Sequence, residues 1–123
     1  MKYARLYADK SGISHFEDVE VELSSVDFAP PAPPMDVASL ALATNVGIVG
    51  APAGRFGPLH PAPRRILFFY LTGVTEVTAS DGEVRRFVPG NILLVEDTSG
   101  KGHTTRSAGN EYAAAMMVQL VDE

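Results

Sequence analysis

The chain has 123 residues, of which 46% are hydrophobic and 20% are charged, as in an ordinary globular protein. Ten basic and fifteen acidic residues give a net charge of −5 without any basic block, so we expect no binding to nucleic acid. The absence of cysteine excludes disulfides, zinc–thiolate sites and a cysteine nucleophile. The longest apolar run, residues 66–71, is too short to cross a membrane, and we expect one cytoplasmic domain.

The N-terminal part of the sequence predicts two strands followed by a proline-rich segment. Residues 3–8 alternate weakly in polarity and predict an edge strand. Within residues 16–23, Val19, Val21 and Leu23 alternate with acidic residues, which predicts a half-buried strand. The prolines at 30, 31, 33 and 34 cannot donate to a sheet ladder and favour extended geometry. We therefore interpret residues 1–39 as an N-terminal arm whose proline-rich strap lies across the domain.

The rest of the chain, residues 40–123, predicts a β-barrel made of short strands. Residues 40–49 are apolar enough for a buried strand, although periodicity leaves a helix over 37–43 open. Further strands are predicted at 66–71, 74–79, 83–87, 91–96, 102–107 and 112–120. Asp81-Gly82 predicts a type I′ hairpin turn, because both residues tolerate positive φ. Short strands separated by glycine and proline turns indicate an all-β sandwich or barrel.

Two segments of the chain resemble the two motifs of the cupin superfamily. These motifs have the forms G-x5-HxH-x3,4-E-x6-G and G-x5-PxG-x2-H-x3-N. The first is matched from Gly54 through His60 to Gly73, and the second from the Pro-Gly pair at 89–90 to His103. The resemblance implies an all-β, double-stranded β-helix or jelly-roll barrel in one domain. It also implies a homodimer that pairs through the N-terminal arm.

The same resemblance implies an incomplete metal site. His60 matches the first ligand histidine of the motifs and His103 matches the last. Ala62 stands where the second histidine is expected, and Ile66 stands where the glutamate is expected. Two imidazoles fall short of the three protein ligands of a typical catalytic metal site. We therefore expect no cofactor, with a weakly bound divalent metal at His60 and His103 as the alternative.

Strand alternation predicts which side chains line the interior of the barrel. If His60 points inward, Ile66, Phe68 and Tyr70 share its face. From other strands we expect Ile48, Met116 and Val118 to line the same cavity. Such a lining suits an apolar or aromatic small molecule that is held by a few polar groups.

Polar residues near the histidines supply the candidate chemistry. Tyr70 is a candidate donor to a substrate oxygen, and Arg64 is a candidate clamp for a carboxylate at the rim of the cavity. The Glu96-Asp97 pair either supplies a general base next to His103 or caps a turn. His15 precedes an acidic strand and is interpreted as a surface residue.

Three functions stay open at this point, each with a small organic molecule as the partner. The first is an enzyme of isomerase, cyclase or lyase type, in which His60 or His103 moves a proton while Tyr70 or Arg64 stabilises a carbonyl or enolate oxygen. The second is a non-catalytic ligand-binding or sensing protein, and the third is a metal-dependent oxygenase with a reduced ligand set. For the enzyme, replacing either histidine with alanine is expected to abolish turnover and leave the melting temperature nearly unchanged.

Overall fold

Twelve β-strands form the regular structure of residues 1–122, the part of the chain that the computed structural model describes, and no helix occurs there. The strands are β1 (Lys2–Ala8), β2 (Ser14–Glu20), β3 (Ser24–Val26), β4 (Met35–Val37), β5 (Ala43–Ala51), β6 (Phe56–His60), β7 (Ile66–Thr72), β8 (Val74–Ala79), β9 (Val84–Phe87), β10 (Ile92–Val95), β11 (His103–Ala108) and β12 (Ala113–Leu120). Residues 1–122 thus contain no helix with the length and apolarity that a membrane span requires.

Most of these strands belong to two sheets that face each other. The larger sheet has the strand order β2-β1-β10-β7-β12-β5, and the smaller has the order β6-β11-β8-β9. All neighbouring strands are antiparallel except β1 and β10, which are parallel. The predicted all-β jelly-roll fold is confirmed. The sheets form a sandwich rather than the expected closed barrel, because within residues 1–122 no strand pairing joins one sheet to the other.

The main core lies between the two sheets. Side chains alternate along each strand, so every second residue of β1, β7, β10 and β12 faces the smaller sheet. This core contains Ala4, Leu6, Phe16, Tyr70, Val77, Phe87, Leu93, Val95 and Ala115. A smaller cluster, formed by Leu67, Leu94 and Leu120, uses the alternate positions on the outer face of the larger sheet. Burying each large apolar side chain contributes about 1.5–3 kcal/mol to folding.

The expected N-terminal arm, residues 1–39, contains strands both inside and outside the two sheets. β1 and β2 are part of the larger sheet, because β1 is hydrogen-bonded to β10 on one side and to β2 on the other. Among the described residues, only segment 21–42 contains strands that belong to neither of these two sheets. Within it β3 and β4 pair only with each other, and nearly every residue is exposed. We call residues 21–42 the ribbon.

Three other expectations about strands were wrong. The edge strand of the larger sheet is β2 and not residues 3–8, because β10 covers the other side of β1. The buried face of β2 carries Ser14 and Phe16, whereas Leu23 lies beyond the strand and is exposed. Residues 40–49 are not a buried strand: β5 is an edge strand and Ile48 is 71% exposed, because nothing in the described chain covers its outer face.

The turn at Asp81-Gly82 is a hairpin turn of a different type from the one predicted. Gly82 has a φ of 99°, but no non-glycine residue in the described chain has positive φ. The amide of Gly82 donates to the carbonyl of Ala79, and the amide of Ala79 donates to the carbonyl of Glu83. A three-residue loop with glycine in the left-handed position therefore replaces the type I′ turn.

Candidate functional site

A cavity of about 350 Å³ lies between the two sheets and opens beside β5 and β6. Its volume is at the lower end of the range for small-molecule sites. Apolar side chains make up most of its wall, and small residues leave the space open. The lining includes Val49, Gly50, Ala51, Gly57, Ala62, Ile66, Phe68, Tyr70, Val77, Leu93, Val95, Ala113 and Ala115, with the polar residues Arg55, His60, Thr75, His103, Thr105, Arg106 and Ser107.

The structure brings His60 and His103 together at this cavity. They lie opposite each other in the pairing of β6 with β11, and their ring centroids are 5.2 Å apart. Gly102 makes this approach possible: a Cβ at that position would lie 2.0 Å from the carbonyl oxygen of His60. Ser14, which is fully buried, donates from its hydroxyl to the carbonyl of Gly102 at 2.7 Å and so fixes the segment before His103.

His103 is held by a buried carboxylate. Its Nδ1 lies 2.5 Å from Oδ2 of Asp97, whose side chain is completely inaccessible to solvent, and His103 itself is 6% exposed. Against an ionised carboxylate, which only accepts hydrogen bonds, Nδ1 is the donor, and in the neutral ring Nε2 then presents a lone pair. In the described chain, Oδ1 of Asp97 has no hydrogen-bond partner. This geometry is the base-and-orienter arrangement of general base catalysis.

His60 has the same tautomer for a different reason. Its Nδ1 lies 2.7 Å from the carbonyl oxygen of Pro58, which only accepts, so Nδ1 is the donor and Nε2 is unprotonated in the neutral ring. Unlike His103, His60 is exposed, at the mouth of the cavity. The site therefore offers two imidazole bases that differ in burial and in orienting partner.

The phenol of Tyr70 is a permanent hydrogen-bond donor in this cavity. Burial raises the pKa of Tyr70 far above its usual range, so the hydroxyl keeps its proton. The ring stacks on Phe87 with centroids 5.2 Å apart and lies 6.2 Å from Phe68, which fixes its orientation. Tyr70 thus suits the stabilisation of a ligand oxygen and is unsuited to act as a base.

The sequence did not distinguish the roles of Glu96 and Asp97, but the two side chains have different partners in the structure. Burial alone would raise the pKa of Glu96, but hydrogen bonds from Arg5 and Arg65 hold it below its ordinary value. Glu96 therefore ties β1 to the segment before β7, while Asp97 orients His103.

Four predicted lining residues lie outside the cavity. Ile48, Met116 and Val118 are on the outer face of the larger sheet: Met116 lies opposite both Ile48 and Phe69, and Val118 packs against the outer cluster. A shared strand does not place residues on one face, because alternate side chains point in opposite directions. Arg64 is exposed in the loop before β7 and does not line the cavity. Ile66, Phe68 and Tyr70 do line it, together with both histidines.

The polar lining residues missed from the sequence are Arg55, Thr75, Thr105, Arg106 and Ser107. Arg55 lies between residues 49 and 66, where no strand is predicted from the sequence. The sequence did contain a signal for two of these residues. Thr105 and Ser107 alternate with His103, which puts all three on one face of a strand.

The cavity does not supply a complete ligand set for a metal. In residues 1–122 no group of three or more histidine, aspartate or glutamate side chains is placed to hold an ion. Ala62 and Ile66 are both buried in the cavity wall, where neither can act as a ligand. The residues present therefore do not fit a catalytic metal, which typically has three protein ligands.

Comparison with known proteins gives matches only among solved structures. No family model and no curated protein matches the chain. A conserved protein of unknown function, SPY1581 from Streptococcus pyogenes, is 22% identical with a TM-score of 0.50, covering 65% of this chain and 68% of that one. The cupin domain of Schizosaccharomyces pombe Cnp3 is 19% identical with a TM-score of 0.53, covering 98% and 88%.

A third match is the DMSP lyase DddQ from Ruegeria pomeroyi DSS-3. It is 26% identical with a TM-score of 0.53 over 82% of this chain, but the chain spans only 48% of the lyase. Together, the matches to DddQ and to the Cnp3 cupin domain and the two-sheet topology show a cupin-like fold.

Proposed function

We propose, from the cupin-like fold that the chain adopts, that the cavity is the active site of an enzyme that moves protons on a small apolar molecule. The observation that carries this proposal is the Asp97–His103 pair, which is buried beside a cavity that also holds His60. A lyase among the structural neighbours agrees with this class of reaction. The protein would then be an isomerase, a cyclase or a lyase.

In the proposed mechanism, Nε2 of His103 takes a proton from a carbon next to a carbonyl group. Asp97 accepts the hydrogen bond from Nδ1 and stabilises the imidazolium that forms. Electron density moves to the carbonyl oxygen, where the hydroxyl of Tyr70 donates a hydrogen bond to the enolate. His60, when protonated, returns a proton to another atom of the ligand. If a leaving group departs instead, the same first step completes an elimination.

The apolar wall favours a non-catalytic ligand-binding protein as the second candidate. Most lining residues offer only carbon surface, which gives affinity for an apolar ligand without any chemistry. Saturable binding of apolar carbonyl compounds without proton exchange would identify this function. We propose no step through a metal, and we expect any divalent ion at His60 and His103 to be removed by a chelator.

The test is the exchange of ligand hydrogens with solvent deuterium. The protein is incubated in D₂O with aryl ketones such as 4-phenyl-2-butanone and with aryl 2-oxoacids, and loss of the C–H signals is followed by proton NMR. We expect exchange above the buffer rate, falling about 10²- to 10⁴-fold in His103→Gln. Asp97→Asn should reduce it as well, because His103 loses its orienting carboxylate.

His15→Gln is the matched control, since His15 lies at the surface between Asp9 and Asp81 and does not line the cavity. It should leave exchange unchanged. Exchange at the buffer rate with every compound, or full exchange in both His60→Gln and His103→Gln, would overturn the proposal. Each variant is first checked for a cooperative unfolding transition.

A further inference from the structure

Arg55 is an exposed residue that lines the cavity, and a bulge in the pairing of β6 with β11 puts it on the same side of the sheet as His60. Thr105 lies opposite Gly57 and His103 lies opposite His60, so β6 contains one more residue than β11 between these two pairs. The extra residue keeps Gly57 and His60 on the same side of the sheet, the side that lines the cavity.

Backbone hydrogen bonds extend this ladder to Arg55. The carbonyl of Arg55 accepts from the amide of Ser107 at 2.9 Å, and the amide of Gly54 donates to the carbonyl of Ser107 at 2.8 Å. Ser107 is buried and lines the cavity, so Arg55 opposite it is on the cavity side. Of the intervening pair, Phe56 is exposed and does not line the cavity, whereas Arg106 borders the cavity while its guanidinium bonds to Glu76.

The guanidinium of Arg55 has no partner within residues 1–122. Five of the seven arginines form ion pairs with carboxylates, namely Arg5, Arg65, Arg85, Arg86 and Arg106. Of the other two, both of which are exposed, only Arg55 lines the cavity; Arg106 lines it as well but is paired with Glu76. A guanidinium at an apolar cavity attracts an external anion, and its planar donor fork matches a carboxylate.

The separation of Arg55 from the histidines defines the shape of the ligand. Four residue steps on β11 separate His103 from Ser107, which lies opposite Arg55, and these steps correspond to about 13 Å. The wall between the two ends is mostly apolar, with Phe68, Val77 and Ala115. A ligand that reaches both ends is therefore elongated, with an anionic group at one end and a carbon body.

We propose that Arg55 anchors a carboxylate, and that the ligand of this cavity is an elongated apolar monocarboxylate. The proposal deepens the proposed function and rests on it for the reacting end of the ligand, which lies at His60 and His103. The anchoring end rests only on Arg55 and its surroundings.

The experiment measures binding, so that it is independent of catalysis. The probes are 6-phenylhexanoate and its neutral amide, 6-phenylhexanamide, together with the shorter acid benzoate, and dissociation constants are measured by titration calorimetry. We expect 6-phenylhexanoate to bind the unaltered protein about tenfold or more tightly than the amide, as one charge-assisted hydrogen-bond pair implies. Benzoate should bind more weakly, because it cannot span the cavity.

Arg55→Gln should remove the preference for the acid over the amide, whereas Arg64→Gln, which changes an exposed arginine outside the cavity, should keep it. Equal binding of acid and amide by the unaltered protein, an unchanged preference in Arg55→Gln, or no binding of either acid would overturn the proposal.

If the acid binds through Arg55 but no proton exchange occurs with any ketone or oxoacid, the proposed function fails and the proposal for Arg55 stands. If ketones exchange and no acid preference exists, the proposal for Arg55 fails and the proposed function stands.

Discussion

Asp97 makes His103 important for folding as well as for chemistry. The carboxylate is fully buried, and in the described chain its only side-chain hydrogen-bond partner is the imidazole of His103. A buried charge that loses its partner is strongly destabilising, whereas an exposed imidazole contributes little. The expectation of an unchanged melting temperature therefore applies to His60, which is exposed, and not to His103.

His103→Ala should lower the free energy of unfolding by about 3–5 kcal/mol, because it leaves Asp97 buried without a partner. His60→Ala should change it by less than about 1 kcal/mol. Urea unfolding followed by circular dichroism measures both. The double variant Asp97→Asn/His103→Ala should recover part of the loss, and a double variant less stable than His103→Ala would contradict this explanation.

Gly102 sets the spacing between the two imidazoles. It has a φ of 79°, and a side chain at this position would meet the backbone of His60. Gly102→Ala should therefore be more destabilising than Gly82→Ala, which also has positive φ but has open space around it. Left-handed strain alone costs alanine about 1–2 kcal/mol, so the excess in Gly102→Ala reports the clash. Equal losses in the two variants, measured by thermal unfolding, would show that the close approach is unimportant.

At the level of elements, His15 joins two turns that are distant in sequence. Its Nε2 lies 2.7 Å from Asp9, in the turn between β1 and β2, and its Nδ1 lies 3.0 Å from Asp81, in the turn between β8 and β9. The hydrogen bond to Asp9 raises the pKa of His15 above its ordinary value of 6.5, helped by Asp81, while desolvation acts in the opposite direction. The same contact with His15 lowers the pKa of Asp9.

The contacts of His15 with Asp9 and Asp81 predict the direction of the pH dependence of stability. The raised pKa of His15 means that its contribution is complete below about pH 6.5 and is lost as the pH rises through the folded-state value. The lowered pKa of Asp9 means that its contribution is lost as the pH falls below 3.8 through the folded-state value. Urea unfolding from pH 5 to pH 8 should show stability falling with pH, less steeply in His15→Gln. An identical slope of stability against pH in the unaltered protein and in His15→Gln would contradict this role of His15.

The elements that the sequence predicts well are those whose pattern depends on near neighbours. Strands β7 to β12 follow from short apolar alternation between glycine turns, and β8 lies at the predicted residues 74–79. Strand β6 was missed because Pro58 indicates a loop, yet an edge strand with a bulge accepts a proline. The predicted orientation of the Ile48 and Met116 side chains was wrong, because the position of the smaller sheet determines which side of β5 and β12 is covered.

The candidate site was likewise predictable where it depends on local sequence and not where it depends on contacts between distant segments. His60 and His103 are recognisable from the motif resemblance, and alternation along one strand gives Ile66, Phe68 and Tyr70. Asp97 as the partner of His103 and Arg55 as a lining residue depend on contacts between loops and strands that are far apart in sequence. No local pattern encodes those contacts.

For the whole molecule, we propose a homodimer in which a second copy covers the exposed apolar surfaces. The ribbon exposes Phe28 and Met35, and the outer face of the larger sheet exposes Val46 and Ile48. An open edge strand with apolar side chains favours pairing with another chain. The ribbon and this face are apolar surfaces of the same chain, so two copies can cover each other by a twofold arrangement.

Ile48→Lys should convert the dimer to a monomer, because it introduces a charge into the covered face of β5. Val84→Lys is the control: Val84 is also an exposed apolar residue, but it belongs to β9 of the smaller sheet. Light scattering during size exclusion gives the mass of each protein. A monomer mass for the unaltered chain at micromolar concentration, or a dimer mass for Ile48→Lys, would refute this arrangement.

The parallel pairing of β1 with β10 has a consequence for how the chain acquires its structure. Ala4 lies opposite Leu93, so a strand from the beginning of the sequence completes its ladder only with a strand from the last third. During synthesis on the ribosome, β1 and β2 must wait as an isolated hairpin, and two strands alone are only marginally stable. Long-range pairing of this kind slows folding to the millisecond-to-second range. We therefore expect the nascent chain to expose β1 until β10 has left the ribosome, and to depend on chaperones during that interval more than a helical chain of equal length.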